Sequence, residues 1–131
     1  MIDLEATVSK LLRADPDIID RIVDRVWLTM PASPTFPAIL IRRIGGAATV
    51  SYEGQLITDQ ADLDLHVYGG SRVEAQTLAH IANRILCGTR VITVRPFTMQ
   101  RVPDNSMPQD KGRDRERYIL SVRCAGHDRN P

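Results

Sequence analysis

A strand that runs directly into a capped helix is the tightest constraint in this sequence. In Gln60-Ala61-Asp62-Leu63-Asp64-Leu65-His66-Val67-Tyr68 the apolar and polar residues alternate, which puts Leu63, Leu65 and Val67 on one side and Asp62, Asp64 and His66 on the other. Such alternation marks an antiparallel strand buried on one face, since a parallel strand covered on both faces reads as a continuous apolar run. Gly69-Gly70 ends it, and Ser71-Arg72-Val73-Glu74 has the capping-box pattern, with Ser71 accepting from the Glu74 amide while the Glu74 side chain reaches back. Ala75, Leu78, Ala79, Ala82, Ile85 and Leu86 then share one helical face, Arg72, Gln76, His80 and Arg84 lie away from its centre, and Gly88 is the expected stop. The link is too short to hold a crossover, so the helix must fold straight back onto the sheet that its own strand belongs to.

The remaining segments take their places around this unit. Leu4, Val8, Leu11 and Leu12 predict an N-terminal helix capped by Asp3. Asp15-Pro16 ends it and has the form of a cap followed by proline in a first turn. Beyond it the period is ambiguous: Ile18, Ile22 and Val26 are spaced as a helix, whereas Asp24 to Leu28 is rich in β-formers, and the reading adopted is a turn followed by a short strand. Pro31, Pro34 and Pro37 predict an extended connection. Ala38 to Ile44 reads as a strand stopped by Gly45-Gly46, with residues 47–58 a weakly patterned connection or ragged hairpin arm. Arg90 to Val102 reads as a strand whose Pro96 calls for an edge or a bulge, and Arg117 to Ala125 as another. Between these two lies Pro103 to Arg115, long, polar and without apolar period, expected to be mobile in an isolated subunit; Gly126 to Pro131 is expected to fray. The fold class is therefore α+β: one domain over residues 1–131, with an antiparallel or mixed sheet of four to five strands and two helices packed on one side.

Chemistry is sparse along this frame. A formal net charge of +1 lacks the electrostatic footprint of a sequence-independent nucleic-acid binder. Cys87 and Cys124 have neither CxxC spacing nor a secretory signal, and the expectation is two reduced, buried thiols in a cytoplasmic, soluble protein with no membrane span. Asp62, Asp64 and His66 are metal-ligand types on one strand face. However, positions i and i+4 on a strand stand roughly 13 Å apart, so the expected role of the acids is cross-strand pairing with Arg42, Arg43, Arg95, Arg101, Arg117 or Arg123. No HExxH, no Cys/His cluster, no GxSxG elbow and no phosphate loop occurs, and Cys87 at a helix C-terminus sits at the dipole end that disfavours a thiolate. No catalytic, cofactor-binding or metal-binding residue is assigned. A small domain with exposed sheet edges and a charged loop then points to pairing with other chains.

Several stretches carry a likeness to a known family. Pro31 to Pro37, Phe36-Pro37-Ala38-Ile39-Leu40-Ile41-Arg42-Arg43-Ile44-Gly45-Gly46, and Asp62-Leu63-Asp64-Leu65-His66-Val67-Tyr68-Gly69 leading into Ala75 and Leu78-Ala79 resemble the tail terminator, or tail completion, proteins of long-tailed bacteriophages and prophages. The resemblance covers most of the chain and implies a small α+β subunit that forms a ring, usually hexameric, which caps the tail tube, halts its growth and faces the head connector. Its implied partners are copies of itself, the tail-tube protein and the head-tail connector, with DNA as passing cargo, no cofactor and no membrane. Its implied location is the virion tail at the head-tail junction, and the host cytoplasm during assembly. A head-side connector or stopper ring is the alternative. The candidate interface residues are Arg42, Arg43, Asp104, Lys111, Arg113 and Arg115.

Overall fold

The computed structural model describes residues 3–32, 35–50, 56–102 and 116–127. Two helices come first, α1 (Leu4–Arg13) and α2 (Pro16–Ile22), then strands β1 (Val26–Trp27), β2 (Ala38–Val50) and β3 (Leu56–Gly69), helix α3 (Arg72–Gly88), and strands β4 (Thr93–Val102) and β5 (Glu116–His127). The strands form one sheet in the order β1-β2-β3-β5-β4. Only β1 runs parallel to its neighbour, pairing Val26 with Ile39, so the sheet is mixed, as expected.

Each helix starts where a side chain satisfies its free amides. Asp3 accepts from the Ala6 amide at 3.1 Å, Asp15 from the Asp17 amide at 2.9 Å and Ser71 from the Glu74 amide at 3.2 Å. Glu74 completes its capping box by accepting from the Gly70 amide at 3.3 Å. Gly69 explains why α3 can begin so soon after β3: a Cβ there would lie 2.6 Å from the Ala75 nitrogen.

Three elements differ from expectation. The segment read as a turn is helix α2, because Asp15 and Pro16 preorganise its first turn and Ile18 and Ile22 then bury completely; the described residues thus hold three helices, not two. The short strand expected after it is present as β1, where Val26 pairs with Ile39. Strand β2 does not stop at Gly45-Gly46: it bulges between Arg43 and Gly45 and continues paired with β3 as far as Val50. The inserted residue is Ile44, and the glycines carry the strand on beyond it, for Gly46 holds φ 144° and any side chain there would collide with the Gln60 carbonyl. Strand β5 likewise runs through Gly126 to His127, paired with Asp59 and Thr58 of β3, so the segment expected to fray begins as strand.

All three helices cover one side of the sheet. Leu63, Leu65 and Val67 of β3, Ile39 and Ile41 of β2, and Leu120, Val122 and Cys124 of β5 are buried against Leu4, Val8 and Leu12 of α1, Ile18 and Ile22 of α2, and Ala75, Leu78, Ala82 and Leu86 of α3. At about 25 cal/mol per Å² of apolar surface removed from water, this layer dominates the folding energy. Because the helices take one face, the polar face of β3 is left to form the site.

Candidate functional site

Register fixes what stands side by side on that second face. Arg95, Arg123, Asp62 and Gly45 form one row across β4, β5, β3 and β2; Thr98, Ser121, Asp64 and Arg42 form the next; Gln100, Ile119, His66 and Leu40 follow, and then Val102, Arg117, Tyr68 and Ala38. The last row is closed over. Trp27 meets Phe36 edge-on with ring centres 6.2 Å apart, Phe36 leans on Tyr68 at 5.0 Å, and Arg117 lies 5.7 Å from the Tyr68 ring centre. Phe36 reaches this position through a cis bond to Pro37, whose carbonyl accepts from Arg25 Nε at 2.7 Å. The proline-rich connection thus ends as part of an aromatic lid, with Phe36 inside it and Trp27 just before it, an arrangement for which the sequence carries no pattern.

The acidic strand face is engaged in cross-strand pairing. Arg123 donates from Nε to Asp62 Oδ1 at 2.8 Å, and the Ser121 hydroxyl donates to Asp64 Oδ1 at 2.7 Å. The guanidinium hydrogen bond holds the Asp62 carboxyl below its ordinary range and raises Arg123 in turn. His66 is different. Its Nδ1 is buried with no hydrogen-bond partner among the described residues, and burial, followed by the charges of Arg117 and Arg42, pushes the imidazole down while Asp64 opposes them. Among the described residues no three His, Cys, Asp or Glu side chains are grouped to hold a metal ion.

The candidate interface residues separate. Arg42 is exposed on the open face, whereas Arg43 lies on the helix side, 3.5 Å from Glu5 of α1 and hydrogen-bonded to the Gly45 and Gln60 carbonyls. Asp104, Lys111, Arg113 and Arg115, with the loop expected to be mobile, lie outside the described residues. Of the other arginines offered as partners for the acids, Arg101 stands opposite the helix-side Tyr118 and Arg95 stands opposite Arg123. Phe97, which no pattern singled out, sits at the bulge between Pro96 and Thr98 with its ring 5.0 Å from the Arg123 guanidinium carbon. Cys124 is buried, which with the Asp62 charge pushes its thiol up to about 11, but Cys87 is exposed, contrary to expectation, because it lies on the outer side of the last turn of α3. Among the described residues no helix is long and apolar enough to cross a membrane.

The fold has a known counterpart. A chain of the solved virion of a native gene transfer agent (GTA) particle superposes with a TM-score of 0.65 at 17% identity, over 95% of this chain and 95% of that one. No family model and no curated protein matches the sequence.

Proposed function

We propose that this chain is a structural virion protein: it forms a ring, of six copies on the pattern of the family it resembles, that caps a phage-like tail tube, ends its polymerisation and joins the tail to the head connector. The observation that carries the proposal is the full-length likeness to a chain of a virion particle, in which each chain is covered over 95% of its length, so the module is matched whole and not as a fragment. The open sheet face agrees with it, since Asp62 and Asp64 are engaged by Arg123 and Ser121 while Arg42 and Arg95 are exposed on that face. The net charge of +1 suits a ring through which DNA passes without adhering. The proposal assigns no catalytic, cofactor-binding or metal-binding residue. It gives Pro103 to Arg115, with Asp104, Lys111, Arg113 and Arg115, the contact to the tube or to a neighbouring subunit, and gives Arg42 and Arg43 interface roles.

Electron microscopy of tail-tube protein polymerised with and without the chain tests this. Tubes of bounded length carrying the chain at one end are expected, and removal of residues 103–115 abolishes the capping while leaving the fold intact. Tubes that grow unchecked and carry no bound chain overturn the reading. Binding to the head connector in place of the tube assigns the chain to the head-side ring instead.

A further inference from the structure

Two exposed patches on opposite layers of the subunit have complementary chemistry. The first lies at the β4–β5 end of the open sheet face. Phe97 is 54% exposed, Arg123 stacks on its ring, and Arg95 stands beside Arg123 across the ladder with no ion-pair partner among the described residues. Asp62 answers one of the two guanidiniums, so an aromatic ring is left in a positive surround. The second patch is on α2. Ile19 and Val23, one helical turn apart, are 46% and 58% exposed, and Asp20 and Asp24 next to them are exposed carboxylates without an ion-pair partner among the described residues. Asp17 of the same helix is already held by Arg84 of α3 at 2.8 Å, which leaves Ile19, on the opposite side of α2, facing outward, with the exposed Asp20 beside it.

Val23 adds an independent observation. It holds φ 57° and ψ −104°, a backbone conformation that a β-branched residue adopts only under strain and that glycine would adopt freely. Its side chain is exposed, so burial within the subunit does not offset that strain. A contact of Val23 outside the subunit would offset it.

We propose that α2 of one copy docks on the β4–β5 end of the open face of a second copy, with Ile19 and Val23 against Phe97 and with Asp20 and Asp24 facing Arg95 and Arg123. The inference deepens the ring reading and rests on it. The two patches cannot meet within one chain, because the sheet itself lies between them, so every subunit offers one and receives the other. That is a head-to-tail contact, which propagates from copy to copy and closes into a ring when its rotation permits. An aliphatic pair with carboxylates at its rim set on an aromatic ring with guanidiniums at its rim also places desolvated area at the centre and charge at the edge.

Sedimentation of the full chain against four variants tests the pairing. Asp24→Arg and Arg95→Glu are each expected to weaken self-association about tenfold or more, by setting like charges face to face. The chain carrying both substitutions is expected to recover it. Val23→Gly is expected to raise the melting temperature and yet weaken association, two effects that a purely structural valine would not combine. Variants that assemble like the parent, or a double variant no better than the singles, overturn the proposal. If the variants still form rings, the faces are wrong and the ring reading stands; if the parent chain never self-associates, alone or with tube protein, both fall.

Discussion

Arg123 spans β5 to reach Asp62 on β3 at 2.8 Å, and the same guanidinium covers the exposed ring of Phe97 on β4. One side chain therefore ties three strands together on the face that the helices leave open. Both partners are largely solvated, so the pair orients more than it stabilises. Asp62→Asn is expected to lower the urea midpoint slightly at low salt and not at all at about 1 M salt, where the screening length falls to about 3 Å. A large loss that persists in salt would show that Asp62 has a buried role.

Ser71 secures the junction on which the sheet and helix depend. Its hydroxyl accepts from the Glu74 amide while Glu74 accepts from Gly70. Ser71→Ala is expected to cost about 0.5–2 kcal/mol in chemical denaturation, the range for a lost N-cap. Glu74→Gln, which keeps the acceptor oxygen, should cost much less.

Two glycines bracket α3 and predict opposite outcomes. At Gly69 a methyl group meets the Ala75 backbone at 2.6 Å, so Gly69→Ala is expected to destabilise by about 1–3 kcal/mol as strand and helix are forced apart. At Gly88 nothing lies within 4 Å of the added carbon. Gly88→Ala should therefore stabilise by about 0.4–1 kcal/mol, through the narrower unfolded ensemble. Thermal melts of the two proteins decide it.

His66 makes stability depend on pH on the acid side. Burial and the arginines at 42 and 117 lower its folded pKa beneath the ordinary 6.5, with Asp64 opposing, so below 6.5 the unfolded chain takes up a proton that the folded chain resists. Its contribution is thus present above that pH and lost as the pH falls below it. Asp62, whose folded pKa is also lowered, loses its contribution only further down, below 3.8. His66→Gln is expected to flatten the stability profile between about pH 7 and pH 5. An unchanged slope would assign the acid sensitivity to other groups.

What could be read from the residues follows the range of the interactions involved. Ser71, Gly69 and the Leu63-Leu65-Val67 alternation are local signals, and the β3–α3 unit stands where they put it. Strand β2 reads too short in the sequence because Gly45-Gly46 looks like a stop until the partner strand is in place; its continuation depends on pairing with Asp62 and Ala61, and the sequence of β2 contains no trace of that. Helix α2 was missed for the opposite reason. Ile18, Ile22 and Val26 have one period, but the first two bury against the helical layer and the third joins a parallel strand, and only the tertiary packing makes that division. On the open face the sequence offers several arginines for the acids; register selects Arg123 for Asp62, whereas Asp64 takes Ser121, which is not one of them. Phe97 owes its position to a bulge, and Phe36 to its stacking on Tyr68 across the chain.

The ladder between β2 and β3 is longer than the layer that supports it. Strand β3 has 14 residues, about 48 Å at 3.4 Å per residue, against about 25 Å for the 17 residues of α3. Beyond the bulge between Arg43 and Gly45 the two strands continue with β5 still paired to β3 as far as Thr58, so this end of the sheet is held from both sides of β3. The extra residue, Ile44, lengthens β2 against β3 without breaking the ladder, and so the course of the sheet beyond the helices is set at that one position.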